Sequence, residues 1–343
     1  MKTKYIIGGS LLAVVLLAAL IGARYYRTWQ RPNVVGEERV CLKIYADDGF
    51  DRVMAQLREK QALRDYAGFE RAARREGYTE AVRSGYYELD PGLGNKAVVR
   101  ILKQGLQTPV RISFNNIRKF EQLAGRLASQ LMLDSATLYA TFTDTAWQRQ
   151  RGFDSETARS FFLPDTYEVW WNCSPERLMQ TFGNAYDRFW TAERVAQAKA
   201  QGLTPPQVAI IASIIEDESN KKDEWPQIAS LYLNRLRRRI PMQACPTIKY
   251  AMDDFTIRRV LKEYMETESP YNTYKHRGLP PGPIRIPGKA AQEAVLHAPK
   301  TNYLYMCARD DFSGYHYFSS SLSQHNMYAN RYHQALNRRK IYH

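Results

Sequence analysis

Apolar positions along the chain repeat with different periods, and each change of period marks an element. Tyr5 to Ala23 is a run of 19 uncharged, mostly apolar residues. As a helix it would span roughly 28 Å, close to the hydrocarbon thickness of a bilayer, which predicts a transmembrane anchor within residues 1–30. A cleaved signal peptide is the competing reading, but the run is long for one and Ile21-Gly22-Ala23 is a poor small-x-small site. After a polar linker through Glu38, Val40, Leu42 and Ile44 alternate with Cys41, Lys43 and Tyr45, the period of a half-buried strand. Phe50, Val53, Met54 and Leu57 fall at helical spacing. A second helix is predicted over Leu63 to Arg75, ended by Gly77, then a strand over Ser84 to Leu89 and a helix over Asn95 to Lys103 stopped by Gly105. Residues 38–109 therefore read as a small α+β module.

Val110, Ile112 and Phe114 alternate as a further strand, and Phe120, Leu123, Ala124 and Leu127 open a helical run towards Leu133. Ser174-Pro175-Glu176 begins a long helix, with Met179, Phe182, Tyr186 and Phe189 along one side and a continuation to about Ala200. Near the C-terminus, Asn302 to Ala308 and Tyr315 to Phe318 read as a hairpin about the turn DDFSG, followed by a helix over Ser323 to Arg339.

The most informative stretch is a helix–turn–helix over Thr204 to Asn234. Thr204 suits the N-cap, Pro205 the first helical position and Gln207 the third, which completes a capping box. Ile211, Ile214 and Ile215 form a buried stripe that Glu218 prolongs at i+7, while Glu216 lies roughly 200° around the helix, away from the apolar face. A carboxyl beside buried isoleucines loses solvation of its charged form, so its pKa rises and it can protonate a leaving group near neutral pH. The blander alternative is a helix-end glutamate paired with a basic residue. In the following helix, begun by Asp223 or Glu224, Ala229, Tyr232, Leu233 and Leu236 form the buried stripe. From Pro270 the sequence SPYNTYKHRGLPPGPIRIPG predicts an extended loop carrying Tyr271, Asn272, Tyr274 and His276, suited to stacking on and hydrogen-bonding a sugar ring, or else a proline-rich surface connection.

Composition narrows the classes. The net charge of +14 predicts attraction to polyanions or an anionic surface. Zinc-finger spacings, basic-region heptads and aromatic RNA-binding signatures are all missing, so nucleic acid is not an expected partner. The dispersed Cys41, Cys173, Cys245 and Cys307 form no CxxC pair, leaving three possible pairings or free thiols. The histidines fit no HExxH pattern, and neither GxSxG nor a Walker loop is present. Gly92 to Ala97 formally matches GxGxxA, but the preceding strand is short and no acid stands near Asn115, so turn chemistry explains the glycines better.

Six ordered motifs carry a resemblance. FLPDTY at 162–167, ASIIEDES at 212–219, NRL at 234–236, YNTY at 271–274, GLPPGPI at 278–284 and the run from His316 to Asn326 together resemble the YceG-like (MltG) family of membrane-anchored endolytic murein transglycosylases. The resemblance implies an α+β protein with an N-terminal transmembrane helix, a LysM-like module at 38–109, a linking region at 110–160 and a mixed α/β catalytic domain at 161–343. It implies lytic cleavage of MurNAc–GlcNAc bonds to 1,6-anhydro-MurNAc ends, terminating glycan strand elongation, with no cofactor or metal. The second acid of the family's E-x-E pattern falls on Glu218, as catalytic residue. Gln243, Tyr271, Asn272 and Tyr274 are then candidates for holding glycan, and Asn234, His316 and Asn326 for bracing the site. The implied location is the inner membrane with the catalytic domain periplasmic, and the implied partners are peptidoglycan strands and cell-wall synthesis enzymes. Two departures stand out: Gln243-Ala244-Cys245-Pro246-Thr247 where relatives usually carry Gln-Ser/Thr-Asp-Pro-Thr, and Asn115-Asn116 where they carry Glu-Gly. A rival from another class is a noncatalytic peptidoglycan-binding scaffold that docks synthesis enzymes.

Overall fold

Leu42 and Ile44 are fully buried while Lys43 and Tyr45 are exposed, so the alternation read from the sequence becomes strand β1 (Val40–Ile44) of a computed structural model. The model describes residues 2–257 and 260–339, with side chains at Leu12 and from Val14 onward. The chain forms two compact units. The first comprises Met1–Ile112, Gln130–Met132 and Glu168–Cys173, and the second Ser113–Ser129, Leu133–Tyr167 and Ser174–His343.

In the first unit, α1 (Lys2–Tyr25) precedes β1, α2 (Phe50–Glu59), α3 (Tyr66–Arg75), β2 (Gly85–Leu89) and α4 (Asn95–Gln104). β1 and β2 pair antiparallel with Leu42 opposite Tyr87. The inner face, Leu42, Ile44, Tyr87 and Leu89, shares one core with Val53, Leu57, Phe69, Val98 and Leu102. α3 starts three residues later than predicted because Asp65 caps it, accepting the Gly68 amide at 2.8 Å. Of the run expected to be an anchor, residues 5–11 and 13 lie outside the described side chains. Among the described residues no helix is long and apolar enough to cross a membrane.

The segment expected to be a polar linker is instead strapped to this unit. Trp29, Asn33 and Val34 are buried. Asn33 Nδ2 donates to Asn95 Oδ1 at 2.7 Å, Asn33 Oδ1 accepts the Asp65 amide at 2.7 Å, and Asn95 Nδ2 donates to the Thr28 carbonyl at 2.9 Å. Single buried residues in a polar stretch leave no period to detect. The strap also accounts for part of the GxGxxA match: a Cβ on Gly94 would lie 2.8 Å from the Gln30 carbonyl oxygen, so glycine admits the strap backbone there.

The second unit follows β3 (Val110–Ser113) and is mainly helical. Its elements are α5 (Phe120–Ala128), α6 (Ser135–Thr143), α7 (Thr145–Gln150), the first half of β4 (Thr166–Val169), α8 (Pro175–Phe189), α9 (Ala192–Ala200), α10 (Pro205–Glu218), α11 (Trp225–Arg237), α12 (Cys245–Ala251), α13 (Lys289–Leu296), β5 (Tyr305–Ala308), β6 (His316–Ser319) and α14 (Leu322–Arg338). The helix predicted from Ser174 to about Ala200 is broken by a cap, Thr191 accepting the Arg194 amide at 3.3 Å to start α9, while the run expected towards Leu133 ends at Ala128 and a further helix, α6, starts where Asp134 accepts the Thr137 amide at 2.8 Å. Phe120, Phe142, Phe162 and Phe182 make edge-on and tilted ring contacts in an aromatic core. β5 and β6 form the expected antiparallel hairpin.

Candidate active site

α10 is buried along its length, every residue from Val208 to Ile215 included. Its start is fixed as the sequence indicated, with Gln207 Oε1 accepting the Thr204 amide at 2.9 Å. Midway, Ser213 Oγ donates to the Ile210 carbonyl and accepts the Ile284 amide at 3.1 Å, tying the GLPPGPI segment to the helix. The helix ends on three consecutive acids, Glu216, Asp217 and Glu218, at the negative pole of its dipole.

Each acid goes a separate way. Asp217 is bridged by Arg118 at 2.5 Å and Arg285 at 2.7 Å, all three side chains being largely buried. Glu216 accepts the Gly288 amide at 3.1 Å and lies 3.4 Å from Arg285 Nε. Glu216 does turn from the Glu218 side, but not into solvent: its side chain is only 14% exposed, because α10 has no uncovered face. Burial raises its pKa, opposed by Arg285.

Glu218 faces a cleft of ≈ 420 Å³ that Tyr232, Gln243, Cys245, Tyr274 and His316 also line. Tyr232 Oη donates to Glu218 Oε1 at 2.7 Å. Burial pushes the Glu218 pKa up from the ordinary carboxylate range, and the Tyr232 hydrogen bond and His316 only partly oppose this. Glu218 is the one carboxylate among the residues lining the cleft.

The rest of the cleft is lined by thiol, phenol, amide, guanidinium and imidazole groups. Cys245 Sγ lies 3.2 Å from Tyr274 Oη, and burial raises the pKa of both groups. Arg235 is buried; its Nε donates to the Leu304 carbonyl at 2.7 Å and its Nη1 to the carbonyls of Pro241 and Met242 and to Gln243 Oε1 at 3.1 Å. It thereby orients Gln243, whose backbone holds a left-handed φ of 53°. His316 is fixed by Glu224, which accepts its amide at 2.7 Å and lies 2.9 Å from its Nδ1.

Of the residues singled out from the sequence, Glu218, Gln243, Tyr274 and His316 come together. Tyr271 and Asn272 do not reach the cleft lining. Tyr271 Oη donates to Glu156 at 2.5 Å and accepts from Arg159 at 3.2 Å, while Asn272 is fully buried and donates to the Met265 and Thr267 carbonyls at 2.8 Å. These two hold the loop's shape rather than present rings and amides to a ligand. Asn234 braces the approach to the hairpin, donating to the Thr301 and Tyr303 carbonyls, and Asn326 is exposed outside the cleft lining, where His325 stands instead. All four cysteines are unpaired. Tyr232, Arg235 and Glu224 were missed as site residues: Tyr232 fell on an apolar stripe, Arg235 stood only within the NRL motif, and Glu224 was read as a helix start.

A buried helix that delivers one carboxyl of raised pKa to a polar cleft defines a protein equipped for acid catalysis on an uncharged, hydrogen-bonding substrate. The YceG-like family model matches residues 42–331, and the chain belongs to that family. It is 26% identical over 315 residues to the endolytic murein transglycosylase of Bacillus subtilis, covering 85% of this chain and 84% of that one. The endolytic murein transglycosylase of Streptococcus pneumoniae is 25% identical over 283 residues, 74% of this chain and 51% of the longer relative. A crystal structure of a YceG-like protein from Listeria monocytogenes superposes with a TM-score of 0.54 at 26% identity, covering 85% of this chain and 99% of its own.

Proposed function

We propose that this chain is an endolytic lytic transglycosylase of peptidoglycan, with Glu218 as its general acid and base. The observation that carries the reading is a single buried, hydrogen-bonded carboxyl in a cleft with no second carboxylate in its lining. Ordinary glycosidases need two carboxyls, one as acid and one as nucleophile or base, about 5 to 9.5 Å apart. With only one, the substrate has to supply the nucleophile. Glu218 gives its proton to the glycosidic oxygen as the bond from the muramyl C1 breaks, and the substrate's 2-acetamido oxygen stabilises the charge developing there. The muramyl C6 hydroxyl then attacks C1 and its proton returns to Glu218. The products are a free GlcNAc 4-hydroxyl and a 1,6-anhydro end, with no water consumed. Well-oriented intramolecular attack reaches effective molarities of roughly 10⁵ M or more, so water competes poorly. Gln243, Tyr274 and His316 supply the polar contacts along the glycan.

Residues 38–109 act in this reading as a LysM-like glycan-gripping module, and Tyr5–Ala23 as an inner-membrane anchor with both folded units in the periplasm, where cleavage would end the growth of strands and place the protein beside wall-synthesis enzymes. The anchor reading is supported by Leu16, Leu17, Leu20 and Ile21 of α1, each more than half exposed. The test is mass spectrometry of murein sacculi digested in ¹⁸O-labelled water. Chains ending in unlabelled 1,6-anhydro-muramic acid are expected. Labelled reducing ends would make the protein a hydrolase, and absence of any soluble product would favour a binding scaffold.

A further inference from the structure

A second, roomier concavity of ≈ 880 Å³ opens within the first unit, where α1 gives way to the strap. Five arginines line it: Arg24 from the last turn of α1, Arg27 and Arg31 from the chain that follows, Arg64 from the loop before α3 and Arg71 from the middle of α3. The one acid in the lining, Asp65, caps α3 through one oxygen, and the other lies 3.9 Å from Arg71. Among the described residues the remaining four guanidinium groups have no carboxylate partner. Like charges gathered round one concavity repel, and the fold brings in too little negative charge to offset them. The arginine side chains are exposed, but the backbone that carries them is fixed, since Trp29 is buried and the Thr28, Asn33 and Asn95 bonds fasten the strap to the unit.

The chemistry of the two walls differs. Guanidinium groups form paired hydrogen bonds to phosphate oxygens and keep their charge at any physiological pH. Leu20 and Ala23, also in the lining, close the uncharged run that began at Tyr5. An amphiphilic anion satisfies both walls at once. We propose that this concavity binds the phosphate headgroup of an anionic lipid, with the arginines on the phosphate and Leu20 and Ala23 against the first carbons of its chains. The pocket involves no residue of the Glu218 cleft, and its occupancy can be read in detergent, whichever compartment the folded units occupy.

The test uses delipidated full-length protein in a neutral detergent, titrated with phosphatidylglycerol, phosphatidylcholine or glycerol phosphate and read by native mass spectrometry. Phosphatidylglycerol should be retained about tenfold more than phosphatidylcholine, since each arginine near an anionic lipid adds a substantial share of the attraction. The double substitution Arg27→Gln/Arg64→Gln should remove that preference, and Arg24→Gln/Arg71→Gln should do the same. Arg238→Gln/Arg239→Gln, with the same change of net charge elsewhere, should not. Melting curves show that each variant is folded before its binding is compared. Equal retention of the two lipids, or a preference that survives both pocket variants, would overturn the proposal. Glycerol phosphate held as tightly as phosphatidylglycerol would overturn the lipid in favour of a soluble anion.

Discussion

Glu218 shows what one side chain costs a fold when chemistry requires it. Burial holds its folded-state pKa above the ordinary carboxylate value. Between those two values the unfolded chain has released a proton that the folded chain keeps, so stability is lost as pH rises through the window. Glu218→Gln should therefore raise the melting temperature relative to the parent at pH 8, and leave it nearly unchanged at pH 4, where the carboxyl is neutral when folded and mostly so when unfolded. Cleavage of sacculi by the same variant should fall roughly 10²- to 10⁴-fold, the usual contribution of a general acid or base. Tyr232 acts on the same proton in the opposite direction. Its donated hydrogen bond favours the carboxylate, so Tyr232→Phe should raise the Glu218 pKa and move the alkaline limb of the pH–rate profile to higher pH. A limb that moves to lower pH would show that Tyr232 does not stabilise the charged form.

At the scale of elements, the last turn of α10 sets three carboxylates at a helix C-terminus, an arrangement that the dipole opposes. Arg118 and Arg285 offset it from the side, and Arg285 touches both Asp217 and Glu216. Removing one partner of such a buried pair leaves an unmatched charge. Arg285→Met should lower unfolding stability by about 3 kcal/mol, with part of the loss recovered by adding Asp217→Asn, as read from denaturant midpoints. Much of this helix was legible beforehand: the capping box placed its start, and the stripe through Ile211 and Ile215 pointed to Glu218. What the stripe hid was burial on the remaining faces. The uninterrupted run VAIIASII lacks any polar face, so Glu216 had to meet a partner too. Tyr271 and Asn272 stand outside the cleft lining for a related reason. A loop's sequence shows which groups can hydrogen-bond but not whether they bond to the protein itself, and here both are used up in holding YNTY in shape. One helix was overrun where a lone Thr191 cap restarts the chain, because an amphipathic pattern continues across such a break.

For the molecule as a whole, the chain packs as two separate units, and the beginning of the first was not legible in the sequence. Trp29, Asn33 and Val34 belong to its core and hydrogen-bond network rather than to a spacer. A chain beginning at Tyr26 should keep that unit's full stability, while one beginning at Glu38 should lose about 3 to 5 kcal/mol, comparable with emptying a buried tryptophan site. Urea denaturation followed by circular dichroism distinguishes the two, and equal midpoints would mean that the strap adds nothing to the core.

The strap also sets how far the first unit can wander from α1. A free tether over residues 24–38 would have let it drift by roughly 20 Å, taking about 5 to 6 Å times the square root of the residue number. Because Thr28 to Val34 is fastened down, nearly all of that slack is gone. With α1 as the anchor and this unit as the glycan grip proposed above, the unit would sample only a thin layer beside the membrane, so a strand passing beyond that layer would go untouched however much of it there is, and encounter would be governed by where the strand is laid down rather than by how concentrated it is.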